Sequence, residues 1–393
     1  MENDKTYITF LGYCLDTTKE IPSCVAHIDW DGLYAFAIKQ TIIGIYAHTI
    51  LEDNQALEET GWMGNKLSFL QIKKWMSAYA RYKSRNTKMN LKAVEVSRKL
   101  EADGFRTSIL KGQANAAYYP YPLARTPGDI DIWVMTPEYM PLAKRKNFFI
   151  DYFRQRYRID SLTSYHIGFH DGDIDIEAHF TPSDLPGFFE NRRLQLYYNK
   201  VADRECHHAV ELMDDAGSIH VPTADFCLVF QLLHIFKHLF STGIGLRQVI
   251  DYYYLLKNVD WSSNDSSVSG IWQVDREETI HTIKSLGYYK FARALSWIVN
   301  QVLGLNEKHI LVSPDEKEGR FLMEEIMRAG NFGQYDPTIQ EINKHSNHIT
   351  RYFKHINFTF RLLRHYPQKV VLQPIYYIFS FIESRNNSRK CRF

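Results

Sequence analysis

The stretch that most constrains this chain runs from Gly128 to Val134, where two acidic residues interrupt an apolar sequence, Gly-Asp-Ile-Asp-Ile-Trp-Val. Because successive side chains of a β-strand point to opposite faces, Asp129 and Asp131 share one face and the isoleucines share the other. Two carboxylates at that spacing repel each other unless a cation lies between them. The pattern therefore predicts a half-buried strand whose polar face is either simply acidic or holds a hard divalent ion such as Mg²⁺.

A glycine turn precedes this strand. Residues 108–113, Ser-Ile-Leu-Lys-Gly-Gln, are typical of a short strand that ends in a turn, and residues 114–119 are typical of the start of a helix. Glycine lets the backbone approach a phosphate closely, and the first turn of a helix has free N–H groups. Residues 125–128, Arg-Thr-Pro-Gly, then suit a type II turn that leads into the acidic strand.

A second acidic strand is predicted downstream. Asp171-Gly172 favours a hairpin turn between residues 164–170 and 173–180, and in the second of these strands Asp175, Glu177 and His179 share one face. If this strand lies beside the first, a third carboxylate completes a site for two Mg²⁺ ions, which can activate an attacking oxygen and neutralise a leaving pyrophosphate. From the pattern alone, either Glu177 or Asp175 is the third ligand.

These features together resemble the nucleotidyltransferase superfamily that includes DNA polymerase β and kanamycin nucleotidyltransferase. They are most similar to an uncharacterised bacterial nucleotidyltransferase family, and the resemblance covers roughly residues 25–385. The matching motifs are Leu110-Lys111-Gly112, Tyr119-Pro120, Arg125, Gly128 to Asp131, Glu177 with His179, His234, His238, Arg247, Asp251, and Gly330 to Gly333. The superfamily usually has serine after the turn glycine, whereas this chain has Gln113.

The resemblance implies a fold and a set of roles. The expected fold class is α+β, with a small mixed sheet and flanking helices embedded in largely helical N- and C-terminal regions. The implied metal ligands are Asp129, Asp131 and Glu177, and His179 joins them as a catalytic residue that orients Glu177, contacts the acceptor or acts as a base. The implied nucleotide-binding residues are Lys111, Gly112, Gln113, Arg125, Gly128 and Arg247.

Two pairs in the helical segment after residue 222 have alternative interpretations. His234 and His238 have the spacing of zinc ligands on a helix, but no Glu follows the first His as in a metalloprotease. We interpret them as buried or hydrogen-bonded histidines, with a place in the nucleotide cleft as the alternative. Arg247 and Asp251 have the spacing of a helical ion pair, and the alternative is that Arg247 grips phosphate through its planar guanidinium.

Length and composition set the remaining expectations. A chain of 393 residues usually forms two or three domains, and we predict boundaries at 1–103, 104–221 and 222–393. The net charge of +2 argues against a protein that mainly coats nucleic acid. The five cysteines form no Cys-x-x-Cys pair, and neither a signal peptide nor a membrane span is evident, so a cytoplasmic protein is expected.

The sequence therefore predicts an Mg²⁺-dependent enzyme, with Mn²⁺ as an alternative ion. It would transfer a nucleoside monophosphate from a nucleoside triphosphate to a small molecule, glycan, protein or tRNA and release pyrophosphate. A toxin of a toxin–antitoxin pair that modifies tRNA or protein would share this chemistry. The non-enzymatic alternative is a nucleotide-binding sensor or scaffold.

Overall fold

The computed structural model describes residues 2–241, 243–261, 272–337, 340–341, 359–372, 374 and 376. The chain begins with helices that pack against one another: α1 Glu2–Cys14, α2 Trp30–Gln40, α3 Ile43–Leu51, α4 Gln55–Glu59 and α5 Phe69–Ala102. Helix α5 starts at a capping box between Ser68 and Gln71. Midway along α5, the Asn86 amide donates hydrogen bonds to the carbonyls of Leu123 and Arg125 and so holds the segment that leads to the acidic strand.

A five-stranded sheet follows, in the order β1-β2-β5-β4-β3. Its strands are β1 Arg106–Ile109, β2 Ile130–Met135, β3 Ile159–Leu162, β4 His166–Asp171 and β5 Ile174–His179. Only β2 and β5 are parallel, and their register places Asp131 opposite Glu177. The predicted hairpin at Asp171-Gly172 is confirmed, with Gly172 at φ +67°.

Three helices accompany the sheet: α6 Gln113–Ala116, α7 Leu142–Arg154 and α8 Phe188–Val201. A two-stranded ribbon of β6 Ala209–Leu212 and β7 Gly217–His220 follows them. Further helices include α9 Ala224–Ser241, α10 Leu246–Asn258, α11 Arg276–Ser285, α12 Tyr289–Trp297 with a π-turn at Ile298–Val302, and α13 Glu316–Ala329.

The two faces of β2 pack into different cores. Ile130, Ile132 and Val134 join an apolar cluster with α5 and α7, whereas Trp133 and Met135 join a second cluster formed by helices from both ends of the chain. Asp131 lies on the same face as Trp133, because side chains alternate along a strand. The acidic face of the sheet is therefore turned toward the helices that follow it.

The predicted α+β fold class is confirmed. The predicted domain boundaries remain a prediction. The helices before and after the sheet share one hydrophobic cluster. Within the part of the chain that the structure describes, no helix combines the length and the apolar character needed to cross a bilayer.

Candidate active site

A cavity of about 310 Å³ lies between the acidic face of the sheet and helices α9 and α10. The turn after β1 and the ends of β2 and β5 form one wall of this cavity. Its polar lining residues are Lys111, Asn115, Arg125, Asp129, Asp131, Tyr165, Glu177, His179, Ser183, Asp184, Gln231, His234, Lys237, His238, Arg247, Gln248 and Asp251. Most of the residues singled out in the sequence therefore meet in one place.

Three carboxylates converge at this wall. Oxygen atoms of Asp129, Asp131 and Glu177 all lie within 4.8 Å of one another, close enough for one ion to bind all three. Asp175 lies on the same strand as Glu177, but its side chain is 64% exposed and pairs with His170 at 2.5 Å. Of the two candidates for a third carboxylate, only Glu177 belongs to the cluster.

Lys111 is the nearest positive charge to this cluster. Its Nζ lies 2.7 Å from Asp131 Oδ1. Burial disfavours the ammonium form, but the charges of Asp131 and Asp129 outweigh burial and raise the Lys111 pKa. The neighbouring charge of Asp131 and then burial raise the pKa of Asp129 to about 6. Like-charge repulsion at Asp129 therefore remains after Lys111 has paired with Asp131.

His179 is held between a carbonyl and the carboxylates. Its Nδ1 lies 3.0 Å from the Pro182 carbonyl oxygen, and its Nε2 lies 3.0 Å from Asp131 Oδ1 and 3.5 Å from Glu177 Oε2. Burial opposes protonation, but hydrogen bonding to the two carboxylates raises the pKa of His179 above its usual value. His179 thus orients two of the three carboxylates and is poorly suited to act as a free base.

Gly112, next to Lys111 in the turn after β1, contributes its backbone to the cavity. Gly112 has φ +61° and ψ −106°, a conformation that residues with a Cβ avoid. Gln113 follows it at the start of α6, but its side chain is buried and does not line the cavity. A phosphate placed in this turn would meet Gly112 and the N–H groups of α6 rather than the Gln113 amide.

Arg125 forms a buried ion pair that the sequence did not predict. Its Nε and Nη2 donate to the two carboxylate oxygens of Asp251, each at 2.8 Å. Asp251 also accepts from Tyr119 Oη at 2.7 Å and from Asn115 Nδ2 at 3.2 Å. Asp251 therefore has a bidentate partner from outside its own helix, in addition to its electrostatic interaction with Arg247.

Arg247 lies beside the turn that leads into β2. Its Nη1 is 3.4 Å from the Pro127 carbonyl oxygen and 3.5 Å from the Thr126 carbonyl oxygen. A Cβ added at Gly128 would lie 3.5 Å from the same nitrogen. The guanidinium therefore lies against the backbone at the edge of the cavity, and a side chain at position 128 would meet it at an ordinary van der Waals distance.

The two α9 histidines line the cavity as a neighbouring pair. Their rings meet edge to face with centroids 4.4 Å apart. Burial lowers the pKa of His234 and lowers that of His238 to about 3, so both are neutral at physiological pH. Among the described residues neither belongs to a cluster of potential metal ligands, and both are partly buried in the lining of the cavity, which agrees with the alternative of a place in the cleft.

The cavity contains a further ion pair that no sequence pattern indicated. Lys237 lies between the two histidines along α9, and its Nζ is 2.7 Å from Asp184 Oδ1 and 3.7 Å from the centre of the Tyr165 ring. Asp184 lies in the segment before α8, far from Lys237 in sequence. No short motif joins these residues, so only the fold brings them together.

The geometry agrees with a comparison against protein families. A family described as uncharacterised nucleotidyltransferase matches residues 26–300, well over half of the chain. The chain belongs to this family. It is therefore an enzyme of the nucleotidyltransferase class, as the sequence predicted. No curated protein and no solved structure gives a significant match.

The family match covers the sheet and every residue of the carboxylate cluster. It extends through α9 and α10, which form the opposite wall of the cavity. It supports nucleotidyl transfer as the class of reaction. The acidic cluster is of the kind that can hold a divalent metal ion.

Proposed function

We propose that this enzyme transfers a nucleoside monophosphate from a nucleoside triphosphate to an acceptor and that Mg²⁺ at the carboxylate cluster is required. In the reaction, an acceptor oxygen or nitrogen attacks the α-phosphorus in line, and pyrophosphate leaves. The observation that carries the proposal is the parallel pairing of β2 with β5, which sets Asp131 opposite Glu177 and completes the cluster with Asp129. When bound, Mg²⁺ neutralises negative charge and supports attack at phosphorus.

The charge of the cavity supports a requirement for cations. The lining of the cavity carries four basic side chains and five carboxylates, namely Asp129, Asp131, Glu177, Asp184 and Asp251. Protonation of His179 brings the net charge of this lining only to neutrality. A triphosphate, which is strongly anionic, therefore gains little attraction from the lining. One or two divalent ions would make the cavity positive and favour the substrate.

The residues around the cluster have distinct proposed roles. The Gly112 backbone and the start of α6 would contact phosphate, and Lys111 would move from Asp131 to the phosphates when metal binds. Arg247 would neutralise charge at the edge of the cavity, since its guanidinium reaches the turn before β2. Arg125, already bidentate to Asp251, would hold the two walls together rather than bind phosphate.

The test compares two substitutions on the same strand. Purified Glu177→Gln and Asp175→Asn variants are incubated with Mg²⁺, each α-³²P-labelled nucleoside triphosphate in turn, and small-molecule, protein and RNA fractions of a cell extract. We expect the wild type and Asp175→Asn to transfer label and Glu177→Gln to lose at least about 100-fold of the rate. Equal activity of Glu177→Gln and wild type would refute the proposal.

A nucleotide sensor would behave differently in the same experiment. It would bind labelled nucleotide in the presence of Mg²⁺ but transfer no label to any fraction. Addition of EDTA separates the roles of metal and protein, since the proposed transfer stops when Mg²⁺ is chelated and resumes when Mg²⁺ is restored. Transfer that persists in EDTA would contradict the metal requirement.

A further inference from the structure

Two histidines stand beside the carboxylate cluster in a way that nucleotidyl transfer does not require. His166 on β4 lies directly opposite His179 on β5, and the ligand atoms of His166, Glu177 and His179 all lie within 4.8 Å of one another. This group shares Glu177 with the three-carboxylate cluster. The chain therefore places a second set of potential metal ligands against the first.

The His166 imidazole holds a buried ring nitrogen against the shared carboxylate. Its Nδ1 lies 3.0 Å from Glu177 Oε2, a contact that is an ion pair rather than a well-directed hydrogen bond. His166 is only 5% exposed. A buried nitrogen that is poorly satisfied by its neighbours is a candidate ligand for an ion.

The orientation of His179 is fixed from the other side. A carbonyl oxygen can only accept, so the 3.0 Å contact with Pro182 requires a proton on Nδ1. Nε2 then points toward Asp131 and Glu177, where it can carry either a second proton or a metal ion. A carbonyl that holds one ring nitrogen and leaves the other for metal is a recurrent arrangement around metal-binding histidines.

The spacing of the three ligand atoms is compatible with one small ion. Zn–N and Zn–O bonds of about 2.0–2.2 Å require neighbouring ligand atoms about 3.4 Å apart in a tetrahedral site and about 3.0 Å apart in an octahedral one. His166 Nδ1 lies 3.0 Å from Glu177 Oε2, and His179 Nε2 lies 3.5 Å from the same oxygen. Both separations fall close to these values, and all three ligand atoms lie within 4.8 Å of one another.

We propose that His166 Nδ1, His179 Nε2 and Glu177 form a binding site for a divalent transition-metal ion such as Mn²⁺ or Zn²⁺. Imidazole nitrogen favours such ions over Mg²⁺, which prefers oxygen ligands. Asp129 and Asp131 would remain available to a second, harder ion that contacts the nucleotide. This inference builds on the metal site of the proposed function, but it concerns which atoms bind the ion and can be measured without turnover.

The experiment reads the ligands directly. Metal-free protein is loaded with Mn²⁺ alone, and pulsed electron paramagnetic resonance measures the coupling of the ion to ligand nitrogen. We expect nitrogen coupling in the wild type and a reduced coupling in His166→Gln and in His179→Gln. The matched control is His170→Gln, on the same strand as His166 but 59% exposed and paired with Asp175, which should leave the coupling unchanged.

A second measurement compares affinities. Calorimetric titration with Zn²⁺ should show a loss of at least about tenfold in His166→Gln, because even an outer-shell partner of a metal ligand contributes that much. The Mg²⁺ affinity of the same variant should change little. Circular dichroism of each variant establishes that it is folded, and His179→Gln supplies an independent comparison if His166→Gln is not.

The outcomes separate this inference from the proposed function. Mg²⁺-dependent transfer by a protein whose bound Mn²⁺ shows no nitrogen coupling would overturn the histidine site and leave the transferase proposal standing. Nitrogen coupling in a protein that transfers no label would support the histidine site and overturn the transferase proposal. Unchanged Zn²⁺ affinity in both histidine variants would identify His166 and Glu177 as a simple imidazole–carboxylate contact and would also overturn the inference.

Discussion

Arg125 and Asp251 lie 126 positions apart and form a bidentate ion pair that joins the turn before β2 to helix α10. Both side chains are buried, so each charge depends on the other for its stability. Replacement of Asp251 by Ala leaves the Arg125 guanidinium buried without a counter-ion. We expect Asp251→Ala to lower the free energy of unfolding by about 3–5 kcal/mol, measured by urea denaturation.

Two controls show whether burial of the ion pair causes the expected loss of stability in Asp251→Ala. Asp173 also pairs with arginine and lysine, but at the surface, so Asp173→Ala should cost far less stability than Asp251→Ala. The double variant Arg125→Met/Asp251→Leu removes both charges and should recover much of the loss. A loss no larger for Asp251→Ala than for Asp173→Ala would contradict this account.

The raised pKa of Asp129 predicts a pH-dependent cost to the metal-free fold. Its value of about 6 in the folded state is above the unfolded value of about 3.9, so the folded protein binds more protons between these limits. Stability therefore falls as the pH rises from about 4 to about 6. Asp129→Asn removes this penalty and should stabilise the metal-free protein by up to about 3 kcal/mol at pH 7.5, but hardly at pH 4.

Thermal unfolding with and without divalent metal checks this prediction. The stabilising effect of Asp129→Asn should disappear when the wild type is saturated with Mg²⁺, since the ion relieves the same repulsion. Transfer activity should be lost in the variant at every pH. An Asp129→Asn variant that is less stable than the metal-free wild type at pH 7.5 would show that repulsion is not the dominant effect at this position.

We expect Lys111 to compete with a metal ion for Asp131. Because its Nζ is 2.7 Å from Asp131 Oδ1, removal of this charge should favour any cation that binds there. We expect Lys111→Met to bind Mn²⁺ about tenfold more tightly than the wild type in the absence of nucleotide, by calorimetry, and to transfer nucleotide more slowly. Weaker Mn²⁺ binding in a folded Lys111→Met variant would indicate that Lys111 supports the metal site instead.

Alternation along strands made much of the carboxylate cluster predictable. A period of two placed Asp129, Asp131 and Glu177 on polar faces, and the Asp-Gly pair located the hairpin before β5. The choice between Glu177 and Asp175 required the register of β2 against β5, because both residues share a face and differ only in position along the strand. Register is a property of two strands, and neither strand encodes it alone.

Other parts of the site depend on contacts between distant segments. The α10 sequence offered Arg247 as the partner of Asp251, because helical spacing reveals only neighbours within one helix. The bidentate partner, Arg125, comes from a turn that Asn86 of α5 holds in place. Gln113 shows the same limit, since its position after the glycine suggested phosphate binding, whereas packing of α6 buries its side chain.

Gly112 links backbone conformation to the geometry of the carboxylates. At φ +61° and ψ −106° an alanine would be strained, and a Cβ there would lie 3.2 Å from the Asp129 carbonyl oxygen. The strain alone costs about 1–3 kcal/mol, and the close contact pushes on the residue that begins the cluster. We therefore expect Gly112→Ala to lower both stability and the rate of nucleotidyl transfer.

Gly104, in the turn between α5 and β1, provides the matched control. It also has a positive φ, +86°, but a Cβ there would meet nothing within 4 Å. Gly104→Ala should therefore lower the melting temperature through strain alone and leave the transfer rate of the folded protein unchanged. Rates measured well below both melting temperatures separate the two effects. If Gly112→Ala keeps the wild-type rate there, the turn does not position the carboxylates or contact phosphate, and its glycine serves the fold alone.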